Sequence, residues 1–308
     1  DRNAIFALRD AINQGVVMGP RIRASGQGIT PTGGHGDGGG FRDDIFPLPH
    51  SGVCDGVAEC RKAVRTQVKY GADHIKYVAT GGVLSMTATG IGQQFTDEEQ
   101  IALVEAAHAM GRKVAAHAHG KIGMEAALRA GVDSIEHGSF LDAETADLFV
   151  ATGAYLVPTL IAGHTVERIA TEQPDFYVPE VRQKALEVGP IMKTALRIAY
   201  EKGAKIAFGT DAGVNDHGTN AYEAVLMNEA GMPERAILIS ATINAAELIG
   251  ITDITGTIEV GKDADIIAVG GNPLEDISTL LQPSYVMVRG NEVDLDVPPV
   301  NLFPWPDI

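Results

Sequence analysis

Five glycines punctuate the chain in the same way: each closes a helical stretch just before an apolar strand. Gly71, Gly111, Gly131, Gly153 and Gly203 precede strand candidates at 74–79, 113–119, 134–138, 155–160 and 205–211. A helix that ends on a left-handed residue favours glycine there, because a Cβ is costly in that conformation. Repeated helix, glycine stop and short strand calls for parallel strands joined by helical crossovers. A further strand candidate is 21–26, and the helical stretches are 57–70, 97–110, 123–130, 143–151, 179–202, 221–230 and 234–248. Thr96, with Glu99 three residues on, has the pattern of a capping box that starts the helix at Asp97. After Leu248 the texture changes. Residues 255–269 read as turn, strand, turn, strand, and 285–292 as a strand entering a hairpin. We therefore expect an α/β body over 1–254 and a small β unit with a tail over 255–308. Pro298, Pro299, Pro304 and Pro306 predict an irregular terminal arm.

A chain of 308 residues, 45% hydrophobic and 21% charged, is long enough for one large α/β barrel and excludes disordered, collagen-like and disulfide-scaffold classes. The formal charge of −16 argues against a nucleic-acid partner and is compatible with a cationic small molecule. No apolar run approaches the roughly 18 residues of a membrane-spanning helix, so no membrane partner is expected. The cysteines, Cys54 and Cys60, are read as packing residues in preference to a redox pair.

In a parallel α/β barrel, chemistry belongs at the carboxyl ends of the strands. Those ends carry Lys76, His117 with His119, His137 and Asp211. Lysine is seldom buried unless paired or modified, the alternative being a stem that snorkels to the rim. His117 and His119 alternate along one strand, so both imidazoles point to the same side, where they can bind a metal or a substrate or pack as core histidines. Asp211 offers a ligand, a general base or a helix cap. Four strand ends bearing ligand-type side chains point to one site.

His74-Ile75-Lys76, Val114-Ala115-Ala116-His117-Ala118-His119-Gly120, Ser134-Ile135-Glu136-His137-Gly138, Gly209-Thr210-Asp211-Ala212-Gly213 and the Gly256–Asp265 segment together resemble the metal-dependent amidohydrolase superfamily, over essentially the whole chain. The resemblance implies a (β/α)8 TIM-type barrel with an appended β-sandwich. It implies two divalent ions, taken as zinc. Lys76 matches the strand-four lysine that is carboxylated by CO2 and bridges the metals. His117 and His137 match the ligands on strands five and six, and Asp211 the strand-eight ligand that shuttles protons. The superfamily's strand-one His-x-His has no counterpart here. Counting back from Asp211 leaves two strands unaccounted for, so the sequence reads as an N-terminally incomplete barrel, the rest lying upstream or in a second polypeptide. Thr80-Gly81-Gly82-Val83-Leu84-Ser85, Gly92-Gln93-Gln94 and Gly34-His35-Gly36-Asp37 resemble the branch of Xaa-Pro dipeptidases, Lys/Arg carboxypeptidases and imidazolonepropionase-like proteins. Hydrolysis of a peptide or N-acyl amide bond, with release of C-terminal Lys or Arg, is the expectation that follows. His119, His217, Tyr77, His35 and Ser85 are the candidate substrate contacts. A cyclic-amide hydrolase or deaminase, or an inert scaffold that lost its strand-one ligands, are the alternatives. Relatives in this superfamily are often multimeric, so the resemblance also implies a homo-oligomer.

Overall fold

A computed structural model of the chain describes residues 4–37 and 52–296. The terminal arm read from the prolines lies outside the described residues. Five strands, β1 (Ile75–Val78), β2 (Val114–Ala118), β3 (Ser134–His137), β4 (Tyr155–Val157) and β5 (Lys205–Ile206), form one parallel sheet in sequence order. The crossovers are α3 (Asp97–His108), α4 (Lys121–Ala130), α5 (Ala143–Thr152), and the pair α6 (Leu160–Glu172) and α7 (Pro179–Lys202). α1 (Ala4–Asn13) and α2 (Gly56–Lys69) precede β1, while α8 (Tyr222–Glu229), α9 (Glu234–Ile239) and α10 (Ala245–Ile249) follow β5. This sheet of consecutive parallel strands backed by helices is the wall of a TIM-type α/β barrel.

All five glycine stops have positive φ, between 66° and 104°. The capping box is present: Thr96 Oγ1 accepts from Glu99 N at 3.3 Å, and Glu99 Oε2 accepts from Thr96 N at 2.8 Å. Such a cap contributes about 1 kcal/mol to its helix. Between sheet and helices lies a continuous core that includes Tyr77, Phe95, Leu103, Phe149 and Leu196, each burying nearly all of its surface. A side chain of this size gains roughly 1.5–3 kcal/mol from burial.

Several expectations are corrected. Residues 21–26 are not a strand. Ala24 is instead tied by both its N–H and its carbonyl to Asp73, and Arg21 reaches Asp263 and Asp265. The ladder position beside β1 falls at Ile29, whose N–H donates to Lys76 O at 2.8 Å and whose carbonyl accepts from Val78 N at 3.0 Å. The 255–269 stretch holds one strand, not two: β6 (Ile266–Val269), which pairs antiparallel with β7 (Pro283–Val288), itself paired with β8 (Asn291–Glu292). Ile258 and Val260 are almost fully exposed, so the segment before β6 has no strand covering it among the described residues. Cys54 and Cys60 form a disulfide, because α2 begins between them and its first turns bring their Cα atoms to 5.0 Å. α6, whose run from Leu160 to Glu172 carries no glycine stop, was not expected.

Candidate metal centre

Several strand ends deliver side chains to the same place. A cavity of about 260 Å³ is lined by Lys76 from β1, His117 and His119 from the end of β2, His137 from β3, and Asp211 beyond β5, together with His35. The ligand atoms that His117, His119 and His137 offer lie within 4.8 Å of one another. Their ring centroids are 4.6–4.8 Å apart, and His35 stacks on His117 at 4.5 Å.

Backbone strain marks the same spot. Four non-glycine residues among those described have positive φ, and three of them end or follow strands of the sheet: His137 (75°) at the end of β3, Thr159 (48°) just past β4 and Asp211 (53°) beyond β5. Each such conformation costs on the order of 1–3 kcal/mol and persists where the surroundings hold it, commonly at functional sites.

The imidazoles are oriented from behind. His119 Nδ1 is paired with Ser139 Oγ at 2.8 Å, His137 Nδ1 with Thr159 Oγ1 at 2.6 Å, and His35 Nδ1 with Ser85 Oγ at 2.7 Å. With Nδ1 engaged, Nε2 is the nitrogen left to bind an ion, the usual arrangement of a metal-ligating histidine. Lys184 of α7 secures the loop that carries Ser85, donating to Gly82 O at 2.7 Å and also to Ser85 O. Gly82 is required here, since a Cβ on it would stand 2.2 Å from the His35 ring. Lys76 forms a close ion pair with Glu136, whose other oxygen accepts from Ser134 Oγ at 2.6 Å.

Burial sets the electrostatics. It lowers His117 and His137 well below the usual histidine value, with neighbouring imidazoles and Lys76 adding to the effect. Burial, His35, Lys184 and Lys76 bring His119 down to about 3, and burial with both lysines brings His35 to about 4. All four rings are therefore neutral at pH 7, with lone pairs available. The surrounding protein raises the Asp211 carboxyl, an effect that Lys76 opposes. His117 Nε2 is buried without a hydrogen-bond partner. An orphaned buried acceptor costs about 1–3 kcal/mol, and three neutral imidazoles converging with a carboxylate suit a divalent ion such as zinc. The residues present fit a metal.

A pH dependence follows. Unfolded histidines take up protons near pH 6.5, whereas folded His35 and His119 resist until about 4 and about 3. Their stabilising contribution is present above pH 6.5 and is lost as pH falls through that window. For His35 alone this is on the order of 3 kcal/mol. Glu223, raised to about 8, acts in the opposite sense, favouring the fold below about pH 4.5 and losing that contribution as pH rises through 8. Thermal melts of chelator-treated protein should show Tm falling steeply between pH 6.5 and 4; a flat profile would contradict the neutral-imidazole assignment.

The sequence-derived candidates divide. Lys76, His117, His137, Asp211, His119 and His35 share the cavity, with Ser85 one hydrogen bond away. Tyr77 does not: it is fully buried in the core, its hydroxyl donating to Gln100 Oε1 at 2.9 Å. Alternation along β1 sends it to the opposite face from Lys76. His217 is exposed on the loop before α8 and does not line the cavity. Sequence reasoning missed Glu136, Ser139, Thr159 and Lys184. Ser139 and Thr159 were visible as hydroxyl residues just past strand ends, whereas nothing local singles out Lys184 in its long helix.

The model of the amidohydrolase family matches residues 1–293. The chain belongs to the amidohydrolase family. This amidohydrolase is 34% identical to ochratoxinase of Aspergillus niger over 299 residues, covering 90% of this chain and 60% of the relative. It thus spans about 60% of the length of the curated relatives it matches first. Among solved structures it resembles a Xaa-Pro dipeptidase with methionine bound in the active site, with TM-score 0.90 and 50% identity over 94% of this chain and 72% of the other. A prolidase complexed with N-methylphosphonate-L-proline gives TM-score 0.84 and 34% identity over 94% and 73%. No helix among the described residues is long and apolar enough to cross a membrane.

Proposed function

We propose that this protein is a metal-dependent amide hydrolase that releases the C-terminal amino acid of a small peptide or N-acyl amino acid. The observation that carries this reading is the convergence on one cavity of Lys76 from β1, neutral His117 and His119 from the end of β2, neutral His137 from β3 and the carboxylate of Asp211 beyond β5. His117 and His137 would hold the metal, with His119 beside them as a third imidazole for either metal or substrate. Divalent ions, when bound here, supply a water of lowered pKa and polarise the amide carbonyl. Asp211 accepts the water's proton and returns it to the leaving nitrogen. Lys76, were it carboxylated by CO2, would supply an anionic ligand to the metal; as an ammonium it is held by Glu136. Zinc is the ion best matched to the imidazoles. Lys76 also argues against a deaminase, whose relatives commonly do without that ligand.

The side-chain class of the substrate is read from the wall facing the imidazoles. Val83, Leu84, Val166, Val188, Met192 and Val214 are apolar, and Asp211 is the one carboxylate lining the cavity among the described residues. A lysine or arginine side chain would lose its hydration there without a second acid to pair with. Methionine, bound in the Xaa-Pro dipeptidase, and the proline of the ligand in the prolidase complex suit such a wall. An apolar C-terminal residue is therefore favoured over the Lys or Arg expected from the sequence. The test is hydrolysis by the zinc-loaded full-length protein of N-acyl-Met, -Leu and -Pro against N-acyl-Arg and -Lys. We expect apolar substrates to lead in kcat/KM by at least about tenfold, the effect of roughly 1.4 kcal/mol in the pocket. A lead for Arg or Lys would overturn the side-chain assignment; no metal-dependent hydrolysis of any of them would overturn the function.

A further inference from the structure

Thr159 is in the N-cap position of α6, where a threonine ordinarily turns its hydroxyl onto the free N–H groups of its own helix. Here it makes no such cap bond. Its Oγ1 is committed to His137 Nδ1 at 2.6 Å, and its backbone is left-handed, with φ 48° and ψ 43°. The first N–H groups of α6 are nevertheless satisfied, from a residue more than 60 positions away. Glu223, in the first turn of α8, is fully buried and accepts from Leu160 N at 2.9 Å and from Ile161 N at 2.7 Å, one bond on each carboxylate oxygen.

We infer that Glu223 is a positioning residue for His137: by capping α6 in place of Thr159, it frees the Thr159 hydroxyl to fix the His137 ring. The design is costly, which argues that it serves more than the helix. No cation pairs with this carboxylate among the ion pairs of the described residues, and burial drives its pKa up to about 8 despite the two backbone donors. A hydroxyl or aspartate cap at Thr159 would serve α6 alone without burying an acid. Glu223 also stands at the start of α8, just past the β5–α8 connection that carries Asp211, so one carboxylate ties that connection to the start of α6. The cavity thereby gains a fixed relation between the strand ends that carry His137 and Asp211.

The inference rests on His137 as a metal ligand, and its test is chosen to stand apart from that reading. Five proteins are compared: the parent, Glu223→Gln, Thr159→Val, Thr159→Ser and the double variant Glu223→Gln with Thr159→Val. Zinc affinity is measured by chelator competition, and the His137 ring is followed by NMR of selectively ¹⁵N-labelled histidine. An outer-shell partner of a ligating histidine is worth about 10–100-fold in metal affinity. Each single variant is expected to weaken zinc binding at least about tenfold and to shift the His137 signal. The double variant should be no weaker than the worse single, because both changes break one chain of contacts. Thr159→Ser, which keeps the hydroxyl, should restore both readouts. Should Glu223→Gln not fold, Glu223→Asp, one methylene shorter, takes its place with the same expected direction. Multiplying losses in the double variant, or a His137 signal unmoved by the Glu223 change, would overturn the inference. A parent protein that binds no zinc would remove the metal reading, and the His137 signal alone would then decide the role of Glu223.

Discussion

Asp211→Asn should turn over amide substrates about 10²–10⁴-fold more slowly than the parent, the range that a positioned proton-transfer group supplies. Asparagine matches the shape of aspartate and tolerates the left-handed backbone (φ 53°) that this position demands, so the fold should accept it. What it cannot do is take a proton from water and hand it to a leaving nitrogen. The surrounding protein already raises the Asp211 carboxyl, bringing it closer to the range where proton uptake and release both occur readily. The loss should fall on kcat, with KM little changed and bound zinc still detectable, because the imidazoles remain. Steady-state kinetics with metal analysis on the same preparation checks this. Activity within about threefold of the parent would remove Asp211 from the chemistry, threefold being well under the effect of one tenfold barrier change.

The second large effect belongs to His117. Its Nε2 is buried without a partner, and its ring contacts those of His35, His119 and His137. His117→Ala should lower zinc affinity by more than the roughly 10–100-fold typical of outer-shell partners, because a direct ligand is lost. Amide hydrolysis should fall to the level of the metal-free protein. The same variant should melt less steeply with acid when stripped of metal, since it removes a buried ring whose pKa is held far below its unfolded value. Chelator competition and melts at pH 5 and 7 read the two effects separately. Unchanged zinc affinity would exclude His117 as a ligand.

The strand ends were legible because the alternation that places Lys76, His117 and His137 there is a property of short local patterns. Each lies in an apolar run bounded by a glycine or a turn, and the left-handed glycine stops fix where the strands begin. What lies behind the imidazoles was not legible. Glu223 caps a helix whose first residue is 63 positions earlier, and Lys184 reaches a loop 99–102 positions away, so neither contact leaves a periodic trace. Tyr77 follows the two-residue period of a strand, which turns it to the face opposite Lys76 and into the core. The missing strand at 21–26 shows the limit of composition. Arg21 and Arg23 make ion pairs and Ala24 is tied to Asp73, so these residues anchor the β1 entrance without joining the ladder.

Anomalous diffraction at the zinc edge, on crystals of the full-length protein grown with zinc, reads the centre directly. The account predicts a peak within about 2.0–2.1 Å of ring nitrogens of His117 and His137. Added electron density on the Lys76 nitrogen should extend it into a carbamate. A peak at the surface carboxylates Glu125, Asp142 and Glu144 with none among the imidazoles, or an unmodified Lys76 still paired to Glu136 beside a filled metal site, would contradict it.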